Sequence, residues 1–449
     1  MSAIQDRYLR QTSLSAQAAE RAKRVMPGGD TRAAAHHLPY PVTIARGEGP
    51  YVWDIDGHRY TDLAGNFTSL VHGHAFPPIV AELRRATEFG TAWAANCETQ
   101  IELAELLCAR VDSVEQLRFC NSGTEAGMLA AQIARHATGR PDILMARYGY
   151  HGFHEDFETG TFGRAVGRTR LATYGDVDDF RQALSDGGSQ IAAVFVEPVM
   201  GAAGIVSPPL GFLRQLEGLA HDAGALLVAD EVISFRLAEG GAQRLFGFRP
   251  DLTMFGKIIG GGLPVGAVGG RADLMVLLDS YQGPRIHHSG TFNGNPLTTS
   301  AGIISVQQLT SSKIENMARL AAALRAGLEK SAAHVGLPFS VNQCGSLLNI
   351  FFCAEPPPAA LVRPDQQLMT AFHLASMNRG LFFPSRGLLA LSTVFTDDVV
   401  EETIAQGQLA MADVMDEIGG MSGPPGLAEV SDDTGDRDAR RAHGRECAS

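Results

Sequence analysis

The chain has 449 residues, 45% of them hydrophobic and 19% charged, which is enough for two or three packed units around one large core. Its net charge of −12 is spread along the sequence without a basic stripe, so composition argues against a nucleic-acid surface. The six cysteines lack CxxC spacing, no run approaches the roughly 20 apolar residues of a membrane span, and the first residues lack the apolar stretch of a signal peptide; a reduced, soluble, cytoplasmic protein without membrane contact is expected.

In chain order, the first 25 residues predict a polar helix, which "MPGGDTRAAAHHLPYP" ends with Pro and Gly. "PVTIARGEGPYVWDIDGHRYTDL" then alternates β-branched or aromatic residues with polar ones around Gly turns, predicting a small antiparallel lobe that completes a first unit, residues 1–74. Over residues 75–310, apolar helical stretches such as "TQIELAELLCARV" and "TEAGMLAAQIARHA" alternate with the β-rich runs "DILMA", "IAAVFVEPV", "GALLVADEVI" and "LTMFGK". That alternation predicts a large α/β domain, its mostly parallel sheet covered by helices on both faces, with ligands beyond the carboxyl ends of the strands. Residues 311–418 open with a long helix and continue through mixed strands and helices as a C-terminal α+β domain; residues 419–449, Pro/Gly-rich and charged, predict disorder.

Chemistry concentrates in a few short stretches. Lys257 is the one charged residue of "FGKIIGGGLPVGAVGG", and an apolar surround pushes a lysine toward the neutral, nucleophilic amine that Schiff-base formation needs. "NSGTEA" sets Ser122, Gly123 and Thr124 at the start of an apolar-periodic helix, where they could cap it or cradle a phosphate. "LLVADEV" ends a strand with Asp230, and "VFVEP" ends another with Glu197. Tyr150, beside His151 in "GYHG", offers a ring that could stack on a planar ligand or simply pack. A lysine trap, a phosphate cradle, a carboxylate and a stacking ring together suit pyridoxal phosphate. Close histidine pairs occur, but no HExxH, and Lys257 precedes its glycines rather than following them as in a nucleotide-binding loop; neither metal catalysis nor nucleotide hydrolysis is expected.

The ordered motifs "MPGGDTR", "WDIDGHRYTDL", "NSGTEA", "YHG", "EPVMG", "DEV", "GKIIGGGLPVGAVGGR", "SGTFNGNP" and "PSRG", spread over residues 20–415, resemble those of class-III, fold-type-I pyridoxal-phosphate aminotransferases, in the branch of glutamate-1-semialdehyde 2,1-aminomutase and β-phenylalanine aminotransferase. The resemblance implies a large mostly parallel-sheet domain with a smaller α+β domain drawn from both chain ends. It implies Lys257 as the Schiff-base lysine and proton carrier, Asp230 as partner of the pyridine nitrogen, and Val232 beneath the ring. It gives Ser122, Gly123 and Thr124 to the phosphate, Tyr150 to stacking, and Glu197 to the site wall. Thr291 would reach the phosphate of a neighbouring subunit, implying a homodimer with shared sites. The glycines at 256 and 260 to 262 would let the chain bend around the lysine.

Arg32 and Arg386 match arginines that take substrate carboxylates, and Phe67 an aromatic position of the side-chain pocket, though core packing accounts for Phe67 equally well. Leu388 replaces a glutamate of the aminomutase, and the stretch after "GYHG" is shorter than that enzyme's gating loop. Both departures favour transamination, with a β-amino acid as leading donor, a 2-oxo acid as acceptor and pyridoxamine 5′-phosphate formed between them. Aminomutation is the first alternative; an epimerase using the same site and a non-catalytic cofactor-binding dimer are weaker ones.

Overall fold

The computed structural model describes residues 2–157, 168–187, 190–355, 357 and 366–420. The expected disordered tail lies, from residue 421 onward, outside the described residues. The last helix runs Asp397–Gly420, past the sequence-based start of that tail.

The single N-terminal helix expected from sequence is two, Ala3–Gln11 and Ser13–Lys23, broken at Thr12, whose backbone (φ −117°, ψ 43°) is not helical. The cause is a competing set of hydrogen bonds. Thr12 is buried, its hydroxyl donates to the Tyr8 carbonyl at 2.7 Å, and Asp56 accepts from the amides of Leu14 and Ser15 at 2.7 and 2.9 Å, capping the second helix from another part of the chain. Strands β1 (Ile44–Glu48), β2 (Tyr51–Asp54) and β3 (Arg59–Asp62) follow as the predicted antiparallel meander.

The large sheet contains β4 (Gln116–Cys120), β5 (Asp142–Ala146), β6 (Thr169–Ala172), β7 (Ile191–Val196), β8 (Leu226–Asp230), β9 (Leu252–Gly256) and β10 (Gly266–Gly270), in the order β4-β10-β9-β8-β7-β5-β6. All run the same way except β10, which is antiparallel to both neighbours. Every residue of β7 is buried, as an apolar run covered on both faces requires. One face packs on helix Gly123–Thr138, the other on Val177–Gly187 and Phe212–Asp222.

Strand β10 has no strand signature in the sequence, where "GAVGG" reads as part of a glycine bend. Its glycines answer to crowding instead: a Cβ on Gly266 would lie 2.0 Å from the Ser122 carbonyl oxygen, and one on Gly270 2.4 Å from that of Asp251.

Beyond residue 310 come β11 (Ser340–Cys344), β12 (Leu347–Phe351), β13 (Leu381–Phe382) and β14 (Leu388–Ala390). Strands β11, β12 and β14 make a three-stranded sheet, while β13 joins β3 in parallel and completes a four-stranded one. The two chain ends therefore share a sheet and a core, in which Tyr8, Val52 and Leu63 pack with Leu324, Phe372 and Met411. None of the helices among the described residues is long and apolar enough to cross a membrane.

Candidate active site

Because β4, β5, β7, β8 and β9 are parallel, their carboxyl ends meet along one edge of the sheet, and each leads into a single cavity of about 530 Å³. Strand β9 ends at Gly256 and the chain turns immediately. Lys257 has φ +48°, a left-handed conformation that costs a residue with a side chain roughly 1–3 kcal/mol and that persists where the surroundings impose it. The turn Lys257–Gly260 closes at Gly261, whose φ of +59° suits glycine and where a Cβ would sit 2.6 Å from the Ala301 carbonyl oxygen. Gly256 itself is extended (φ −175°); its missing side chain makes room for Val232, a methyl of which would be 3.3 Å from a Cβ there.

Lys257 is half-buried and lines the cavity. Burial pushes its amine down to about 8; Asp230 and Glu197 oppose that shift, and Arg386 and Arg236 add to it. Asp230, the last residue of β8, accepts from the Val232 amide at 3.0 Å and from His151 Nδ1 at 2.9 Å. A carboxylate can only accept, so this contact places a proton on Nδ1. His151 Nε2 is buried with no hydrogen-bond partner, and its ring lies edge-on to Phe157 and Phe195, the centroids 5.8 Å apart in each case. In sequence His151 reads as a core, turn or substrate-contact histidine and its pairing with Asp230 is missed, because nothing local links it to an aspartate 79 positions away.

The phosphate cradle is also a helix cap. Ser122 Oγ accepts from the Glu125 amide at 3.1 Å, and Glu125 accepts in return from the Asn121 amide at 2.8 Å, a reciprocal arrangement close to a capping box. Helix geometry leaves the first-turn amides without partners inside the helix, and they carry its positive end toward the cavity. Two glycines keep the space clear. A Cβ on Gly123 would lie 3.2 Å from Val232, and one on Gly152, at φ +109°, 2.6 Å from Thr124. Thr124 Oγ1 accepts from the Phe153 amide at 3.1 Å, tying the 150–153 turn over the helix start.

Glu197 accepts from the amides of Tyr150 and Gly201, both at 2.9 Å, and so fixes the backbone that presents the tyrosine. Burial raises Glu197 to about 7; His151 opposes the shift, the Asp230 charge adds to it, and the two amide hydrogen bonds oppose it. The opposite wall comes from the small domain. Gly65, Asn66, Phe67 and Thr68 have φ of 52°, 48°, 54° and 78°, with Thr68 N bonded to Ala64 O at 2.9 Å and Leu70 N to Gly65 O at 2.9 Å. This is a left-handed turn. Left-handed backbone costs roughly 1–2 kcal/mol per residue with a side chain, and only glycine and asparagine enter it readily, so Phe67 and Thr68 are held there by their neighbours. Phe67 faces the cavity, and Asn66 accepts from Arg32 Nη1 at 2.7 Å.

Every residue that the sequence offered as a cofactor- or substrate-binding side chain or as part of the phosphate cradle lines this cavity except Thr291 and Arg386. Thr291 is on an exposed turn next to Asn293, which accepts from Asn121 Nδ2 at 2.8 Å. Arg386 borders an adjoining cavity of about 210 Å³, its guanidinium carbon 6.0 Å from the Phe67 ring centroid. Leu388 is buried in an apolar cluster with Val199 and Ile233. The shortened segment after "GYHG" falls largely on residues 158–167, outside the described residues. Among the described residues no group of three or more His, Cys, Asp or Glu is placed to hold a metal.

A buried, readily deprotonated lysine, a carboxylate held by an imidazole, a glycine-cleared helix start and an exposed aromatic side chain around one cavity fit a phosphorylated pyridine aldehyde. The profile of the family Aminotransferase class-III matches residues 32–156 and 171–405. The chain is 38% identical over 427 residues to glutamate-1-semialdehyde 2,1-aminomutase 2 of Geobacillus kaustophilus, covering 90% of this chain and 99% of that one. Its fold is similar to that of an omega-transaminase from Sphaerobacter thermophilus (TM-score 0.87, 36% identity, 90% and 99% of the two chains). It is similar also to a β-phenylalanine aminotransferase from Variovorax paradoxus (TM-score 0.85, 36% identity, 93% and 97%).

Proposed function

The chain belongs to the class-III aminotransferase family, and from that premise we propose that it moves an amino group from a carboxylate-bearing amine, with a β-amino acid as leading donor, to a 2-oxo acid. Pyridoxal 5′-phosphate is the cofactor, and when bound it supplies an electron sink and carries the amino group as pyridoxamine 5′-phosphate between the half-reactions. The chain's own residues do the rest. Lys257, its amine pushed down to about 8, would hold the cofactor and would take and return the proton at the donor carbon. Asp230, oriented by His151 and the Val232 amide, puts its negative charge toward the pyridine nitrogen. Ser122, Gly123 and Thr124 would hold the phosphate at the helix start, and Val232 and Tyr150 would hold the ring.

The observation that carries the choice of substrate is a pair of arginines on the small-domain side. Arg32 lines the cavity, and Arg386 stands beyond Phe67, close enough for its charge to bear on Lys257. Guanidinium is the preferred bidentate partner of a carboxylate. Leu388, buried among apolar side chains, offers no carboxylate of its own. The test is a donor screen against pyruvate and 2-oxoglutarate that compares α-amino acids, β-amino acids and carboxylate-free amines. Activity with carboxylate-free amines alone would overturn the reading.

Glutamate-1-semialdehyde aminomutation is the second reading, favoured by the 38% identity to an aminomutase. It requires turnover of the semialdehyde without a second substrate. We also assign the protein a homodimeric state in which Thr291 completes the partner's phosphate site. The turn bearing Thr291 adjoins the cavity through Asn121, and Phe153 (80% exposed) and Phe292 (60%) would otherwise face water. Light scattering at micromolar concentration distinguishes dimer from monomer.

A further inference from the structure

Arg236 is the largest fully buried side chain of the described residues, 1% exposed, on the short turn Ser234–Leu237 that follows Asp230 and Val232. Its guanidinium reaches into four separate parts of the chain. Nε donates to Ser346 Oγ at 2.9 Å, Nη1 to the Thr68 carbonyl at 3.3 Å, and Nη2 to the Leu391 carbonyl and, at 3.6 Å, to Met317 Sδ. All four acceptors are neutral. Burying a guanidinium without a carboxylate is expensive, and apolar side chains of like volume would fill the same space more cheaply, so packing alone does not account for it.

Two of the four contacts lead to the substrate wall. Thr68 closes the left-handed turn that carries Asn66 and Phe67, and Asn66 holds Arg32. Leu391 follows β14, the strand that leaves the Arg386 segment. Thr68 has φ +78° and a buried hydroxyl with no hydrogen-bond partner, so the turn is not held by its own side chain. One guanidinium thus joins the turn whose Asn66 holds Arg32 to the chain that follows Arg386 and β14, and it comes from the turn just after Asp230 and Val232.

We propose that Arg236 is a positioning residue for the substrate wall: it clamps the Gly65–Thr68 turn to the end of β14 and so holds Arg32 and Arg386 in register for one donor carboxylate. The proposal rests on the carboxylate-bearing donor read above. Arg236→Lys keeps the charge but cannot span the acceptors, and Arg236→Met keeps length without either.

The variants, loaded with pyridoxal phosphate, are measured with a carboxylate-bearing donor and its carboxylate-free counterpart, alongside hydrogen exchange of the 64–70 segment. Both should raise KM for the carboxylate-bearing donor about tenfold or more, the scale of a lost charge-assisted hydrogen bond, with kcat and the KM of the carboxylate-free amine changed less than about threefold. Exchange over 64–70 should quicken while helix 123–138 stays protected. Equal losses with both donors, or unchanged exchange over 64–70, would overturn the clamp. A wild-type enzyme indifferent to the donor's carboxylate would instead sink the substrate reading, leaving the clamp to be judged by exchange alone. Should neither variant fold, Ser346→Ala removes one acceptor and should give a smaller KM rise in the same sense; no rise would count against the proposal.

Discussion

The two walls of the cavity are built on different plans. The wall on the large sheet collects residues from strand ends, none far from a strand the fold places anyway: Ser122 after β4, Tyr150 in the turn after β5, Glu197 after β7, Asp230 at the end of β8, Lys257 after β9. The wall on the small domain joins Arg32 and Phe67 to Arg386, more than three hundred residues further along the chain, through a left-handed turn and a buried arginine. Parallel strands need no special device to converge, since register does it; loops converge only where side-chain contacts oblige them to. Damage on the sheet side should therefore remove the chemistry and leave the scaffold, and damage on the other side should blunt recognition.

The sharpest way to break that contrast is Lys257→Ala. Loss of attachment and of the proton carrier together should lower kcat by at least ~10^4-fold, abolish the borohydride-sensitive visible band, and leave the melting temperature unchanged or slightly higher, because the strained residue at φ +48° gives up a buried amine. Residual turnover within a hundredfold of wild type would move the chemistry off the sheet wall. Asp230→Asn comes next. Its one oxygen can still accept from the Val232 amide, but the new NH2 meets His151 Nδ1 and can only donate, so the ring must move its proton to Nε2; shape is kept while the charge and one acceptor are lost. Steady-state kcat should fall about 10^2–10^3-fold with little change in KM.

Arg386→Ala probes the opposite wall. KM for the donor should rise about 10–100-fold and kcat change little. The same variant has a second readout. Arg386 helps hold Lys257 down, so its removal should shift the amine upward from about 8. Capture of pyridoxal phosphate by the cofactor-free protein needs the neutral amine. In wild type its rate should climb about tenfold per pH unit below 8 and level off above; in the variant the plateau should begin at higher pH. A plateau that stays put would mean the arginine's charge does not reach the lysine.

How much of this was legible before folding follows the same division. The sheet wall was readable because each residue announces itself locally: a lone lysine among glycines, an aspartate closing an apolar run, a Ser-Gly-Thr opening a helix. What sequence missed there is a partner, His151, brought to Asp230 from 79 positions away, and a strand, β10, whose glycines answer to crowding by Ser122 and Asp251 rather than to any β-propensity. On the small-domain side the arginines were visible only through resemblance, and Arg236 not at all, since an arginine in "ISFRL" carries no sign that its guanidinium will be 1% exposed. The break at Thr12 belongs to the same class: Asp56 caps a helix that local periodicity would have continued. Interactions over long separations decide these points, and composition does not encode them.

The finest test of the contrast is Phe67→Asn. In sequence the ring could have been core or pocket; in the fold it is only partly buried, faces the cavity, belongs to none of the apolar clusters, and sits at φ 54°, ψ 47°. Asparagine enters that region far more readily than phenylalanine, so the substitution relieves backbone cost while giving up little packed surface. Stability to urea should hold or rise by about 1 kcal/mol, while KM for donors with aromatic side chains rises about fivefold and that for small aliphatic donors does not. A core residue would behave oppositely: deleting a packed phenylalanine costs about 3–5 kcal/mol, and a loss of that size would move Phe67 from the recognition wall into the scaffold, leaving the left-handed turn as a packing device with no part in choosing the substrate.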